Sequence, residues 1–108
     1  MRLVHRQGKL AVDCFLGTRL HGVMPAADVL FESVAEIQRK NVIGVILTGM
    51  GADGGRGMML MHNNGAKTIG QNLETCIVYG MPKVAKDLGA LDHELPIDRI
   101  GAKIMELV

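Results

Sequence analysis

The chain has 108 residues, 48% of them hydrophobic and 21% charged, with a net charge of +1. That is enough for one compact domain with a thin stability margin, and too apolar for a disordered segment. The near-neutral charge and an aromatic content of 3% argue against a nucleic-acid surface, which needs basic patches and stacking rings.

The apolar runs at 42–47 and 58–61 are too short to insert in a membrane, and the start lacks the apolar stretch of a secretory signal. Cys14 and Cys76 stand in no metal-ligand spacing, so reduced thiols in a cytoplasmic protein are expected. Residues 3–5 and 10–16 read as short strands joined by a hairpin turn at Gln7-Gly8-Lys9. Residues 17–24 read as a loop, and Pro25 prepares a helix start. The helix is expected over 26–40. Ala27, Leu30, Phe31, Val34 and Ile37 share an apolar face, while Asp28, Glu32 and Glu36 form an acidic stripe read as a solvated face.

Residues 42–47, Val-Ile-Gly-Val-Ile-Leu, are apolar at every position, as in a parallel strand covered on both faces. A loop over 48–55 leads into a second helix at about 55–63, with Met58, Met59 and Met61 as core filler and Asn64-Gly65 as its end. A strand over 66–70, a loop over 71–75 and an extended piece over 76–79 follow. Pro82 opens a helix to about Leu88, closed by Gly89; 91–95 is extended; a last helix spans 97–107, with Ile100, Ile104 and Leu107 on one face. From residue 42 strands alternate with helices, the pattern of βαβ units. The expected class is therefore α/β: a three-layer, Rossmann-like, mostly parallel sheet with an N-terminal β-hairpin. Such sheets bind ligands at the carboxyl ends of their strands, which makes 48–55 the leading site.

Gly49, Gly51 and Gly54 spell G-x-G-x-x-G between a strand and a helix, and Glu74 lies where a dinucleotide fold wants its ribose carboxylate. Against that reading, Asp53 stands at the helix mouth, where it would repel a pyrophosphate and compete for its N–H groups. A second reading has Asp53 capping the following helix, with glycines turning the loop. A third has Asp53 as the acid of a hydrolase triad, orienting a histidine. The two do not exclude each other, because a carboxylate held by helix N–H groups stays ionised.

The chain supplies no evident partner for it. Ser33 is the one serine and lies mid-helix without a glycine elbow. Cys14 and Cys76 read as buried, inert thiols. His5 and His62 read as surface residues, His21 as a loop residue and His93 as part of an extended piece. None has metal-ligand spacing, and no cofactor is expected.

The stretch Val42–Leu47 with Thr48-Gly49-Met50-Gly51-Ala52-Asp53-Gly54 resembles the V-I-L-T-G-M-G-x-D-G segment of the chemotaxis protein-glutamate methylesterases. Gly65-Ala66-Lys67-Thr68-Ile69 with Gln71, Cys76-Ile77-Val78-Tyr79-Gly80-Met81-Pro82, Leu95-Pro96-Ile97 and Ala27-Asp28-Val29-Leu30-Phe31 resemble further segments of that family. The likeness covers essentially the whole chain. It implies a doubly wound sheet and a Ser-His-Asp triad that hydrolyses glutamate γ-methyl esters on chemoreceptors and deamidates receptor glutamines.

By the same resemblance Asp53 matches the triad aspartate. Met50, flanked by Gly49 and Gly51, matches a residue lining the site. The implied partners are methylated chemoreceptor cytoplasmic domains, together with a missing N-terminal half or receiver domain. The family's serine turn and Q-H segment are not found, and Val23-Met24-Pro25-Ala26 stands where the family carries H-[RK]-P-S. The expectation is the C-terminal part of a catalytic domain, with a sheet edge prone to self-association and no activity alone. The alternative is a non-catalytic βαβ module that binds a nucleotide or a protein.

Overall fold

A computed structural model describes residues 1–16, 26–37 and 41–108. The readings of a loop over 17–24, of Pro25, of His21, of the departure at 23–25 and of a helix continuing through 38–40 lie outside the described residues. The chain opens with an antiparallel hairpin of β1 (Arg2–Arg6) and β2 (Lys9–Asp13), Arg6 facing Lys9. Gln7 and Gly8 turn it with φ of 51° and 78°, the twist that suits a two-residue hairpin loop. The strand expected over 10–16 ends early, at Asp13, which faces Arg2 in the ladder. Cys14 is consequently exposed, not a buried strand residue.

The first helix, α1 (Ala27–Ile37), lies against β1, and the Leu3 N–H donates to Ser33 Oγ at 2.7 Å. Ser33 Oγ in turn donates to the Leu30 carbonyl at 2.6 Å, so the chain's one serine is a buried tie and not a nucleophile. The acidic stripe divides. Glu36 is exposed and Glu32 lies 4.0 Å from Arg56, but Asp28 is 1% exposed. A solvated face was the expectation there. The packing of a second helix over Asp28 overrides the pattern.

Next come β3 (Ile43–Ile46), α2 (Gly55–Asn63), β4 (Lys67–Gln71), α3 (Met81–Asp87), β5 (His93–Leu95) and α4 (Ile97–Leu107). The three strands form a parallel sheet in the order β3-β4-β5, Ile46 beside Gly70 and Gln71 beside Leu95. Gly44 and Ile46 meet α2, where Met58 and Met61 are buried as the expected core filler. Ile69 alternates to the other face and is fully buried; α4 packs against β4 with Ile100 buried.

Among the described residues β3 is an edge strand, with Ile43 and Val45 only partly covered, so the burial on both faces expected for it is incomplete. An unguarded apolar edge is an invitation to a further strand. Gln71, read as loop, belongs to β4 and is 3% exposed. The segment expected to be extended at 76–79 is not a strand; Tyr79 alone makes a bridge, to Gly49. No helix of the described residues is long and apolar enough to cross a membrane.

Candidate active site

The loop leaving the carboxyl end of β3 is built by two chain segments that clasp each other. Thr48 Oγ1 accepts the Val78 N–H at 2.9 Å and donates to the Val78 carbonyl at 3.1 Å. The Gly49 N–H donates to the Val78 carbonyl at 3.1 Å, and the Gly49 carbonyl accepts from Gly80 and Met81 at 3.1 and 2.9 Å. The two motif segments, far apart in sequence, are thus one physical unit. Gln71, at the carboxyl end of β4, anchors it: its Oε1 accepts the Thr48 N–H at 2.7 Å and its Nε2 donates to the Thr75 carbonyl at 2.8 Å. Sequence reasoning did not assign Gln71 a role, although it stood in a matched motif.

Asp53 lies at the far end of this loop, 8% exposed. It does not cap the helix that follows it. The N-cap of α2 is Gly54, at φ 96° and without a side-chain cap. Asp53 instead reaches the start of α1. Oδ2 accepts the Ala27 N–H at 2.5 Å and Oδ1 the Asp28 N–H at 2.9 Å. These are among the donors that a helix start leaves without intrahelical partners, and its positive dipole end favours a carboxylate. A cavity of about 240 Å³ beside Asp53 is lined by Met1, Ala26, Ala27 and Leu30. Met50 is 83% exposed, while Gly51 makes the turn at φ 90°.

The N-terminus of α2, where a dinucleotide would place its pyrophosphate, is already occupied: the Gly57 N–H donates to Asp28 Oδ1 at 2.7 Å. Glu74 sits in a single-turn helix at 73–75, past the end of β4. The glycine pattern therefore serves packing and turning.

No histidine among the described residues is bonded to Asp53. His62, expected at the surface, is half-buried with Nδ1 3.5 Å from Asp92 Oδ1 and 3.4 Å from Thr68 Oγ1. This threonine–histidine–aspartate group is not a relay. One ring nitrogen faces both partners, and the Thr68 hydroxyl donates to the Ala90 carbonyl at 2.6 Å. His5 is exposed, and His93 lies in β5. Cys76, expected to be buried, is partly exposed. Its partial burial raises the thiol pKa, Thr48 lowers it and Glu94 raises it again, which disfavours the thiolate a nucleophile needs. No cluster of three or more His, Cys, Asp or Glu side chains among the described residues could hold a metal ion.

Tyr79 closes the side of the loop, its hydroxyl donating to Glu94 Oε2 at 2.6 Å. Burial, and then the Glu94 carboxylate, hold the phenol above the ordinary tyrosine value of 10.0. A raised acid contributes stability fully below its unfolded pKa and loses it as pH climbs toward the folded one. The stability difference between the native chain and Tyr79→Phe is expected to shrink above about pH 10. Urea unfolding from pH 8 to 11 measures it, and a difference constant across that range would contradict the bond.

The family model for CheB methylesterase matches residues 3–104. The protein-glutamate methylesterase/protein-glutamine glutaminase 2 of Syntrophomonas wolfei is 47% identical over 108 residues, 100% of this chain and 32% of that protein. The protein-glutamate methylesterase/protein-glutamine glutaminase of Bdellovibrio bacteriovorus is 54% identical over 90 residues, 83% of this chain and 25% of that protein. The crystal structure of the Thermotoga maritima CheB methylesterase catalytic domain superposes with a TM-score of 0.94 at 37% identity, covering 99% of this chain and 57% of that one. The chain therefore spans about a third or less of the length of these curated relatives.

Proposed function

Because this chain belongs to the CheB methylesterase family, we propose that it supplies the acid of a Ser-His-Asp hydrolase acting on chemoreceptors. Its substrates are glutamate γ-methyl esters and receptor glutamines, and its setting is the cytoplasm. The chain corresponds to the C-terminal part of the catalytic domain. The serine and histidine come from a further segment that adds to the open edge of β3.

Serine attacks the ester carbonyl. Histidine takes the serine proton and later gives it to the departing methanol. Asp53 holds the imidazole and stabilises its charged form. Met50, Gly49 and Gly51 line the site. The observation that carries this reading is the carboxylate of Asp53: fixed by two backbone N–H groups at the carboxyl edge of a parallel sheet, with a cavity beside it.

The test mixes the purified 108 residues with the separately produced serine- and histidine-bearing segment of a relative, and follows methanol release from methylated receptor. The chain alone should release none. The mixture should, and Asp53→Ala should abolish it. Methanol release by the 108 residues alone, or a mixture indifferent to Asp53→Ala, would overturn the reading.

A further inference from the structure

We infer that Asp28 is a positioning residue for Asp53, completing a closed ring of exchanged helix caps that sets the direction in which the acid can present itself. The inference rests on the proposed triad role of Asp53, but its geometry stands apart from it. Asp53, two residues before α2, accepts the first N–H groups of α1. Asp28, in the first turn of α1, accepts the Gly57 N–H in the first turn of α2 at 2.7 Å. Each aspartate caps the other's helix.

The Asp28 N–H is itself one of the two donors on Asp53, at 2.9 Å. The path from Asp53 through Gly54 to Gly57, across to Asp28 and back to Asp53 is therefore closed by hydrogen bonds. By tying α1 to α2 at Gly57, Asp28 holds the Ala27 and Asp28 N–H groups where the Asp53 carboxylate meets them. Gly57 makes the approach feasible, since a Cβ there would lie 2.5 Å from the Phe31 Cβ and 3.0 Å from Asp28 Oδ1. The α2 N-terminus faces the buried Asp28 carboxylate, and its positive dipole end favours the charge. A lone cap at a protein surface would leave one helix free to shift. The exchanged pair fixes both helix starts against each other and against the loop that carries Met50.

Amide hydrogen exchange on the 108-residue chain reads this without any activity. Ala27 is the first residue of α1, so its N–H has no acceptor within the helix and reports the Asp53 bond. Ile69, fully buried in β4, reports global stability. In Asp28→Ala, protection of Ala27 relative to Ile69 should fall on the order of tenfold, the loss of one charge-assisted bond. Asp28→Asn, which keeps a neutral acceptor, should fall between that variant and the native chain. Ser33→Ala, in the same helix but outside the ring, should loosen both amides together. An unchanged Ala27 to Ile69 ratio in the Asp28 variants would reduce Asp28 to a cap of α2 and overturn the inference. If Asp28→Ala does not fold, Asp28→Asn decides by the same ratio. Because no catalysis is measured, failure here is separate from failure of the triad reading.

Discussion

Asp53→Ala is expected to destabilise the fold by about 2 kcal/mol, a fall of roughly 10 °C in the thermal midpoint for a domain of this size. The magnitude comes from the two donors it abandons. Ala27 and Asp28 give their N–H groups to the carboxylate at a position 8% exposed, where water replaces a lost acceptor poorly. The loss should appear at the start of α1 and not at α2, which Asp53 precedes without capping. Asp53→Asn keeps a carbonyl acceptor but not the charge. It should retain about half of the stability while still failing to support a charged imidazole. Guanidinium unfolding of the three proteins, with methanol release in the presence of the serine- and histidine-bearing segment, separates the two roles. A midpoint unmoved in Asp53→Ala would mean that α1 is not held in this way.

Gly80→Ala is expected to be costlier than its conformation implies. Gly80 has φ −107°, which alanine adopts freely. A Cβ there would nevertheless lie 2.6 Å from the Gly49 carbonyl oxygen and 3.0 Å from the Gly51 nitrogen, both backbone atoms that cannot swing away. The clasp between the 76–80 segment and the aspartate loop would have to open, at a cost of about 2–3 kcal/mol by analogy with overpacked cores. Gly51→Ala is the counterpart: φ is 90° but nothing lies within 4 Å of the added carbon. Only the backbone preference opposes it, at about 1 kcal/mol. Thermal melts of both variants rank the two mechanisms, and a larger loss at Gly51 than at Gly80 would refute the interlocked geometry.

The elements that local pattern governs were readable along the chain. Both α2 and α4 run as expected, because Asn64-Gly65 ends one and a clean apolar face at Ile100, Ile104 and Leu107 carries the other. The parallel sheet followed from the alternation of strands and helices after residue 42. Misread positions share a cause: their partners lie elsewhere in the chain. β2 ends at Asp13, which faces Arg2 of β1. Gln71 extends β4 because Leu95 pairs with it. Residues 76–79 carry β-branched apolar side chains, yet their hydrogen bonds go to the loop at Thr48 and Gly49 instead of a ladder. Asp28 looked solvated because helical periodicity reports which residues share a face, not which face another helix covers.

By itself the sequence determined the α/β class, the resemblance to the methylesterases and the choice of the loop after β3, with Asp53, as the candidate site. Each of these rests on local pattern, motif or a short-range glycine turn. Only the tertiary structure decided what Asp53 holds. A carboxylate next to α2 would be assigned to α2 by proximity along the chain, but its two N–H donors come from α1, 25 and 26 residues away. The packing of α1 on α2 across Gly57 brings those donors within reach, and it moves the cap of α2 to Asp28. Hydrogen bonds are satisfied in space, so an aspartate's role follows from the helix that docks beside it.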